Sequence, residues 1–290
     1  MKPKLKKQFV TTIKILVSLG LIALVFSKLD WSGVRLILKS ANPIYFAGAV
    51  IFFLISQLIS IFRFNIFMRK VGVRLSFEAN SKLYLLGMFY NFFLPGGVGG
   101  DAYKAFALSK SHKKSLKKIG QVVFVERFLG IVAIGFVLGL LILFLKTEYS
   151  YFWNLGIAFC GIISTIIILK LIIRFLHTYK KRVYIGFFYS VLIQIAQLIC
   201  IFCILKSFGI DDNYLIYILL FLTSSILSVI SFAGLGIREA VFFYGAHLFN
   251  FDPDISAFVA LSFSLITAMI SFFGIIYLFI PIEIKNKSPK

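Results

Sequence analysis

The chain has 290 residues, of which 60% are hydrophobic and 17% aromatic, while only 14% are charged. This balance excludes a soluble globular domain and marks an integral membrane protein, built of helices because lipid offers no partner to an unpaired backbone. The formal charge of +20 does not point to nucleic acid, because the Lys and Arg residues lie in clusters between apolar spans, as the positive-inside rule requires.

The N-terminal segment 2–7 carries four lysines ahead of an apolar run at 9–27. No Ala-x-Ala cleavage site follows, so the run reads as an uncleaved signal anchor. Further spans long enough to cross a bilayer occur at 44–68, 119–145, 152–175, 183–205 and 256–280, which makes six full crossings. Between the first two, Trp31, Val34 and Leu38 suit a short interfacial helix. Two more apolar regions, 83–108 and 214–250, are each split by a glycine-bearing break and read as pairs of short helices.

Charge sets the topology. Segments 2–7, 69–82, 104–118, 170–182 and 283–290 are dominated by Lys and Arg and should face the cytoplasm. The loops 146–151, 206–213 and 250–255 are poorer in cations and should face outward, with the more basic 28–43 as the exception. Both flanks of 83–103 are therefore cytoplasmic, which makes this region a re-entrant hairpin with Pro95 to Gly100 at its tip. By the same logic 214–250 is a hairpin entering from outside, its tip at Ser231 to Gly236.

Self-comparison supports a duplication. Ile55-Ser56-Gln57-Leu58-Ile59-Ser60-Ile61-Phe62 matches Ile195-Ala196-Gln197-Leu198-Ile199-Cys200-Ile201-Phe202 at six of eight positions. Gly72, Gly97 and Gly99 then fall opposite Gly209, Gly234 and Gly236 at a constant spacing of 137, which sets Asp101 opposite Arg238. The expectation is an all-α integral membrane protein forming a single transmembrane domain, 1–290, with six full transmembrane helices and two re-entrant broken helical hairpins. Residues 9–145 would form the first repeat and 152–280 the inverted second, with both termini cytoplasmic, an architecture used by alternating-access transporters.

Ionisable groups inside spans are candidates for function, because burying them in lipid is expensive. They are Arg63, Glu126 and Arg127, with Asp101 and Lys104 after the first break and Arg238 and Glu239 after the second. The structural alternative is that Arg63 snorkels and that Glu126 pairs with Arg238, Arg127 or Arg63 to lock helices together. After Pro95-Gly96-Gly97-Val98-Gly99-Gly100 a helix starting near Asp101 would present backbone N–H groups to an anion such as phosphate. Arg238 holds the corresponding place beside Gly234 and Gly236, while Asp101 and Glu239 suit a cationic substituent or a proton-coupled switch. Asn91, Gln57 and Gln197 offer neutral hydrogen bonds, the glutamines serving equally as interhelical glue.

Enzyme signatures are missing. His112, His177 and His247 form no His-Glu-x-x-His pattern, and neither Gly-x-Ser-x-Gly nor a P-loop occurs. Asp211-Asp212 lacks the third acid of a diphosphate-metal motif, and the basic run 110–118 suits a topogenic loop at a lipid surface better than a nucleic-acid site. Cys200-x-x-Cys203 reads as helix packing, since no second Cys or His pair accompanies it, and Cys160 leaves an odd count that argues against disulfides. No enzyme activity, cofactor or metal is expected.

Asn91-Phe92-Phe93-Leu94-Pro95-Gly96-Gly97-Val98-Gly99-Gly100-Asp101, then Glu126-Arg127, then Gly234-Leu235-Gly236-Ile237-Arg238-Glu239, resemble the flippase-like family of the lysylphosphatidylglycerol synthase transmembrane domain. The resemblance covers essentially the whole chain. It implies a multi-pass protein of a bacterial or archaeal inner membrane that translocates an anionic or aminoacylated phospholipid, or a lipid-linked sugar in relatives encoded near glycosyltransferases. The cytosolic aminoacyl-transferase domain of bifunctional members is absent from this sequence, so synthase activity is not implied. Two positions depart from the family pattern: Lys104 stands where Arg is usual, and Ser231-Phe232-Ala233 supplies less Pro and Gly than the second motif usually has. Other readings are a non-transporting partner of a glycosyltransferase or lipid-synthesis enzyme, an intramembrane enzyme acting on lipid phosphates or sugars, and a soluble-ion or metabolite transporter.

Overall fold

A computed structural model of the chain describes residues 32, 35, 39–93, 98–145, 151–175, 180–230, 236–280 and 282. The expected first crossing at 9–27, the interfacial residues Trp31, Val34 and Leu38, and the tip residues Pro95, Gly96, Gly97 and Gly234 lie outside the described residues.

Every regular element among the described residues is helical. In chain order they are α1 (Pro43–Met68), α2 (Phe77–Phe93), α3 (Gly99–His112), α4 (Leu116–Ile142), α5 (Tyr151–Phe175), α6 (Lys180–Ser207), α7 (Tyr214–Ile230), α8 (Ile237–Leu248) and α9 (Pro253–Phe272). A 3₁₀ turn and the short α10 (Ile276–Phe279) extend α9. The start of α1 is set by Asn42, whose Oδ1 accepts the Ile44 N–H at 3.0 Å, with Pro43 in the first turn, where its missing N–H costs nothing. At α9, Asp252 accepts the N–H groups of Asp254 and Ile255 ahead of Pro253.

Five helical stretches are long and apolar enough to cross a membrane by length and composition: Pro43–Val71, Leu116–Ile142, Phe152–Phe175, Lys180–Ser207 and Pro253–Phe279. They coincide with the spans expected at 44–68, 119–145, 152–175, 183–205 and 256–280. Large apolar side chains on them, such as Leu54 and Phe62 of α1 and Phe159 and Ile167 of α5, are exposed, as lipid contact requires and water would not tolerate.

The centre of the bundle is the antiparallel pair α1 and α6, the most extensive helix contact among the described residues. At one end the Asn42 N–H donates to the Ser207 carbonyl at 2.7 Å, and at the other a Cβ on Gly186 would meet the Phe67 ring at 2.5 Å. Between them, Arg63 Nη1 donates to Ser190 Oγ at 2.6 Å. Small residues are needed along this line because the two backbones approach closely with no solvent-exclusion gain to drive helices together in lipid.

Two antiparallel hairpins flank the pair. In the first, α2 and α3 close so tightly that a Cβ on Gly100 would overlap the Gly87 carbonyl, and the Gly100 N–H instead donates to Asn91 Oδ1 at 2.8 Å. The second, α7 and α8, seats Leu220 on Gly245 and places the Tyr217 and Phe242 rings 6.5 Å apart. With 17, 14, 17 and 12 residues, none of these four helices alone spans a hydrocarbon core of about 30 Å at about 1.5 Å per residue. The hairpins also exchange partners: α7 packs on α4, and α2 packs on α9.

The α1–α6 register is directly testable. A Cβ built on Gly48 lies 3.9 Å from Cys203 Cβ, within the range a disulfide requires. Gly48→Cys should cross-link to Cys203 under mild oxidation, giving a linked peptide pair by mass spectrometry that disappears in the Cys203→Ser background. An unlinked pair would contradict the register.

Candidate functional site

The first hairpin carries an ionic cluster. Asp101 lies in the first turn of α3, where the helix dipole favours an anion, and Lys104 follows three residues later on the same face. The carboxylate is divided between two cations: Lys104 Nζ lies 2.8 Å from Oδ1, and Arg127 Nη1 of α4 donates to Oδ2 at 2.6 Å. Lys104 is 5% exposed, its ammonium 4.7 Å from the centroid of the Tyr84 ring and 5.0 Å from that of Phe64.

Behind this cluster, Arg63 of α1 does not snorkel. It is 8% exposed and donates through both Nε and Nη2 to Glu126 Oε1, each at 3.2 Å, while its Nη1 goes to Ser190. Of the three arginines open to Glu126 on sequence grounds, Arg63 is therefore its partner. Glu126 is itself 4% exposed, so the pair is ionic in a place with little water, where each charge depends on the other.

The second hairpin uses its charges differently. Gly236 sits at φ +95°, open to glycine without strain, and begins α8; its N–H donates to Glu239 Oε2 at 2.9 Å. The other oxygen, Oε1, accepts the Ser264 hydroxyl at 2.6 Å. Arg238 has no ion pair or hydrogen bond among the described residues, and its Nε is buried without a partner. Its guanidinium is held by rings instead, 4.5 Å from the centroid of Phe263 and 5.5 Å from that of Phe221.

Between the two hairpins lies a cavity of about 370 Å³. It is lined by Phe53 and Gln57 of α1, by Tyr84, Met88, Asn91 and Phe92 of α2, by Arg127 and Ile134 of α4, and by Gln197 of α6. The second hairpin adds Ser225, Ser228 and Arg238, and α9 adds Phe263, Ser264, Thr267 and Ser271. Aromatic and aliphatic walls thus alternate with hydroxyls, amides and two guanidinium groups, a lining suited to a molecule that is partly polar and partly apolar.

Of the residues singled out in the sequence, Asn91, Arg127 and Arg238 line this cavity, as do Gln57 and Gln197. Asp101, Lys104, Arg63 and Glu126 stand behind it as a bonded network, and Glu239 is tied to α9 through Ser264. Gly99 and Gly100 form the start of α3, whose Gly100 N–H is occupied by Asn91. Sequence reading missed the hydroxyl side of the cavity. Ser264, Thr267 and Ser271 recur at intervals of three and four, a helical stripe that periodicity could have found within an otherwise apolar span. Among the described residues no three His, Cys, Asp or Glu side chains gather to hold a metal ion.

Pairing of this kind predicts a sharp contrast in stability. Glu126→Gln and Asp101→Asn each strip a counter-charge from buried cations and should cost about 3–5 kcal/mol, read as a large fall in melting temperature in detergent. Lys82→Ala removes the half-buried partner of the exposed Glu78, one turn away on α2, and should change stability by about 1 kcal/mol or less. Equal effects of the three would mean that the inner network is not ionic.

No curated protein matches this chain. The sequence pattern of the lysylphosphatidylglycerol synthase TM region matches residues 11–278, which contain both hairpins, the ionic cluster and the cavity. The chain belongs to the lysylphosphatidylglycerol synthase TM region family, a family of multi-pass membrane proteins with a lipid-related function.

Proposed function

We propose that the protein moves a lipid between leaflets: the headgroup passes through the cavity between the two hairpins while the acyl chains remain in the bilayer. The substrate class is an anionic or aminoacylated phospholipid or a lipid-linked sugar, and the protein acts as a transporter rather than as an enzyme. The observation that carries this reading is the cavity itself, in which Arg127, Arg238, two glutamines and a row of hydroxyls face Phe53, Phe92 and Phe263. Such a mixed lining matches an amphiphile better than a free ion, which needs no aromatic wall.

The inverted repeat fits the same reading. Residues 9–145 and 152–280 form its halves, and the hairpins are re-entrant, one from each face, in a cell membrane of a bacterium or archaeon with both termini cytoplasmic. Supporting this, α1 and α6 run antiparallel, and each hairpin packs on the last long helix of the other half.

Reconstitution tests the proposal. Proteoliposomes carrying fluorescent phospholipid should show protein-dependent leaflet exchange by dithionite quenching. Arg238→Ala should slow it about tenfold or more, as loss of a charged hydrogen-bond partner implies, with an unchanged elution profile. Exchange equal to that of protein-free vesicles would overturn the reading.

A further inference from the structure

We infer that the cavity selects a headgroup that carries net negative charge and hydroxyls, such as a phosphodiester bearing a polyol or sugar, and discriminates against cationic aminoacylated headgroups. This rests on the lipid reading above and specifies the substrate class within it.

Of the two charged side chains that line the cavity among the described residues, Arg127 is bonded to Asp101, whereas Arg238 has no polar partner there. No carboxylate among the described residues lines the cavity. The acids nearest to it are already engaged: Asp101 by Lys104 and Arg127, Glu126 by Arg63, and Glu239 by Ser264 and the Gly236 N–H. A lysyl or alanyl ammonium would thus meet two guanidinium groups and no open acceptor of opposite charge, while a phosphate would meet an unpaired guanidinium.

The inner network adds to the same field, for it holds three cations, Arg63, Lys104 and Arg127, against two carboxylates, Asp101 and Glu126. The hydroxyls supply the second half of the recognition. Ser264 and Ser271 lie seven residues apart on α9, about 10 Å at helical rise, and among the described residues Ser271 Oγ, like Arg238 Nε, has no hydrogen-bond partner. Arg238 and Ser271 stand at the wall of one cavity, and this spacing accommodates a phosphate at Arg238 with its polyol extended along α9.

Native mass spectrometry of the detergent-solubilised protein tests the charge preference without requiring transport. With phosphatidylglycerol, lysylphosphatidylglycerol and phosphatidylcholine at equal concentration, phosphatidylglycerol should bind about ten- to hundredfold more tightly than the lysyl lipid. Arg238→Lys should keep this preference and Arg238→Gln should remove it, while Ser271→Ala should weaken phosphatidylglycerol alone. Binding of the lysyl lipid as tight as that of phosphatidylglycerol, or a preference that survives Arg238→Gln, overturns the inference. Free glycerol 3-phosphate should fail to displace the lipid; displacement at comparable concentration assigns the site to a soluble anion and overturns its assignment to lipid. Selective binding with no leaflet exchange leaves the headgroup inference standing and removes the transport reading. Exchange that ignores headgroup charge does the reverse.

Discussion

A charge taken out of water must find an opposite charge nearby, and in this molecule that requirement joins the first hairpin to the rest of the bundle. Asp101 gives one oxygen to Lys104 of its own helix and the other to Arg127 of α4. Glu126 and Arg127 are adjacent on α4, and consecutive helical residues point about 100° apart. One therefore reaches α1 through Arg63 while the other reaches α3 through Asp101. A single dipeptide thus fixes the rotation of α4 against two neighbours, and through Ser190 the same network extends to α6. The close approach of Gly87 and Gly100 then leaves the hairpin no room to settle in another register.

Much of this was legible in the chain. Five crossings could be read from length and apolar content, and the two short-helix pairs from the glycines that interrupt 83–108 and 214–250. The buried ions were recognisable as a set, because Arg63, Glu126, Asp101 and Lys104 are costly in lipid wherever they point. Their pairing was not legible. Which arginine meets Glu126 depends on helix rotation and on the α1–α6 register, and neither is encoded in local sequence. The anion seat expected at the start of α3 depended on a similar detail: Asn91, one turn from the end of α2, reaches across to the Gly100 N–H. The hydroxyl stripe of α9 escaped notice because Ser and Thr are common in membrane helices, where they bond back to their own backbone, as Thr267 does with Phe263.

The equivalence of Asp101 and Arg238, seen as a constant spacing in the sequence, takes on chemical meaning in the structure. Both lie near the start of the second helix of a hairpin. Asp101 needs cations to be stable there, and it has them. Arg238 is held by the faces of Phe221 and Phe263, which steady a delocalised guanidinium without occupying its hydrogen-bonding edge. An aromatic cradle thus keeps a cation in place and chemically open, which a carboxylate partner would not. Lys104 shows the contrasting case: it has the rings of Tyr84 and Phe64 and a carboxylate as well, so its ammonium is already paired.

The two hairpins are consequently held by different kinds of contact. Parting the first from α4 separates Asp101 from Arg127, two opposite charges in a partly buried place, and the resistance is electrostatic. Parting the second from α9 slides rings over a guanidinium and releases two serine hydroxyls, Ser264 from Glu239 and Ser256 from the Phe242 carbonyl. The α2–α3 hairpin is thus held to its neighbour by opposite charges and the α7–α8 hairpin by rings and hydroxyls, so a change of salt acts on the first and leaves the second.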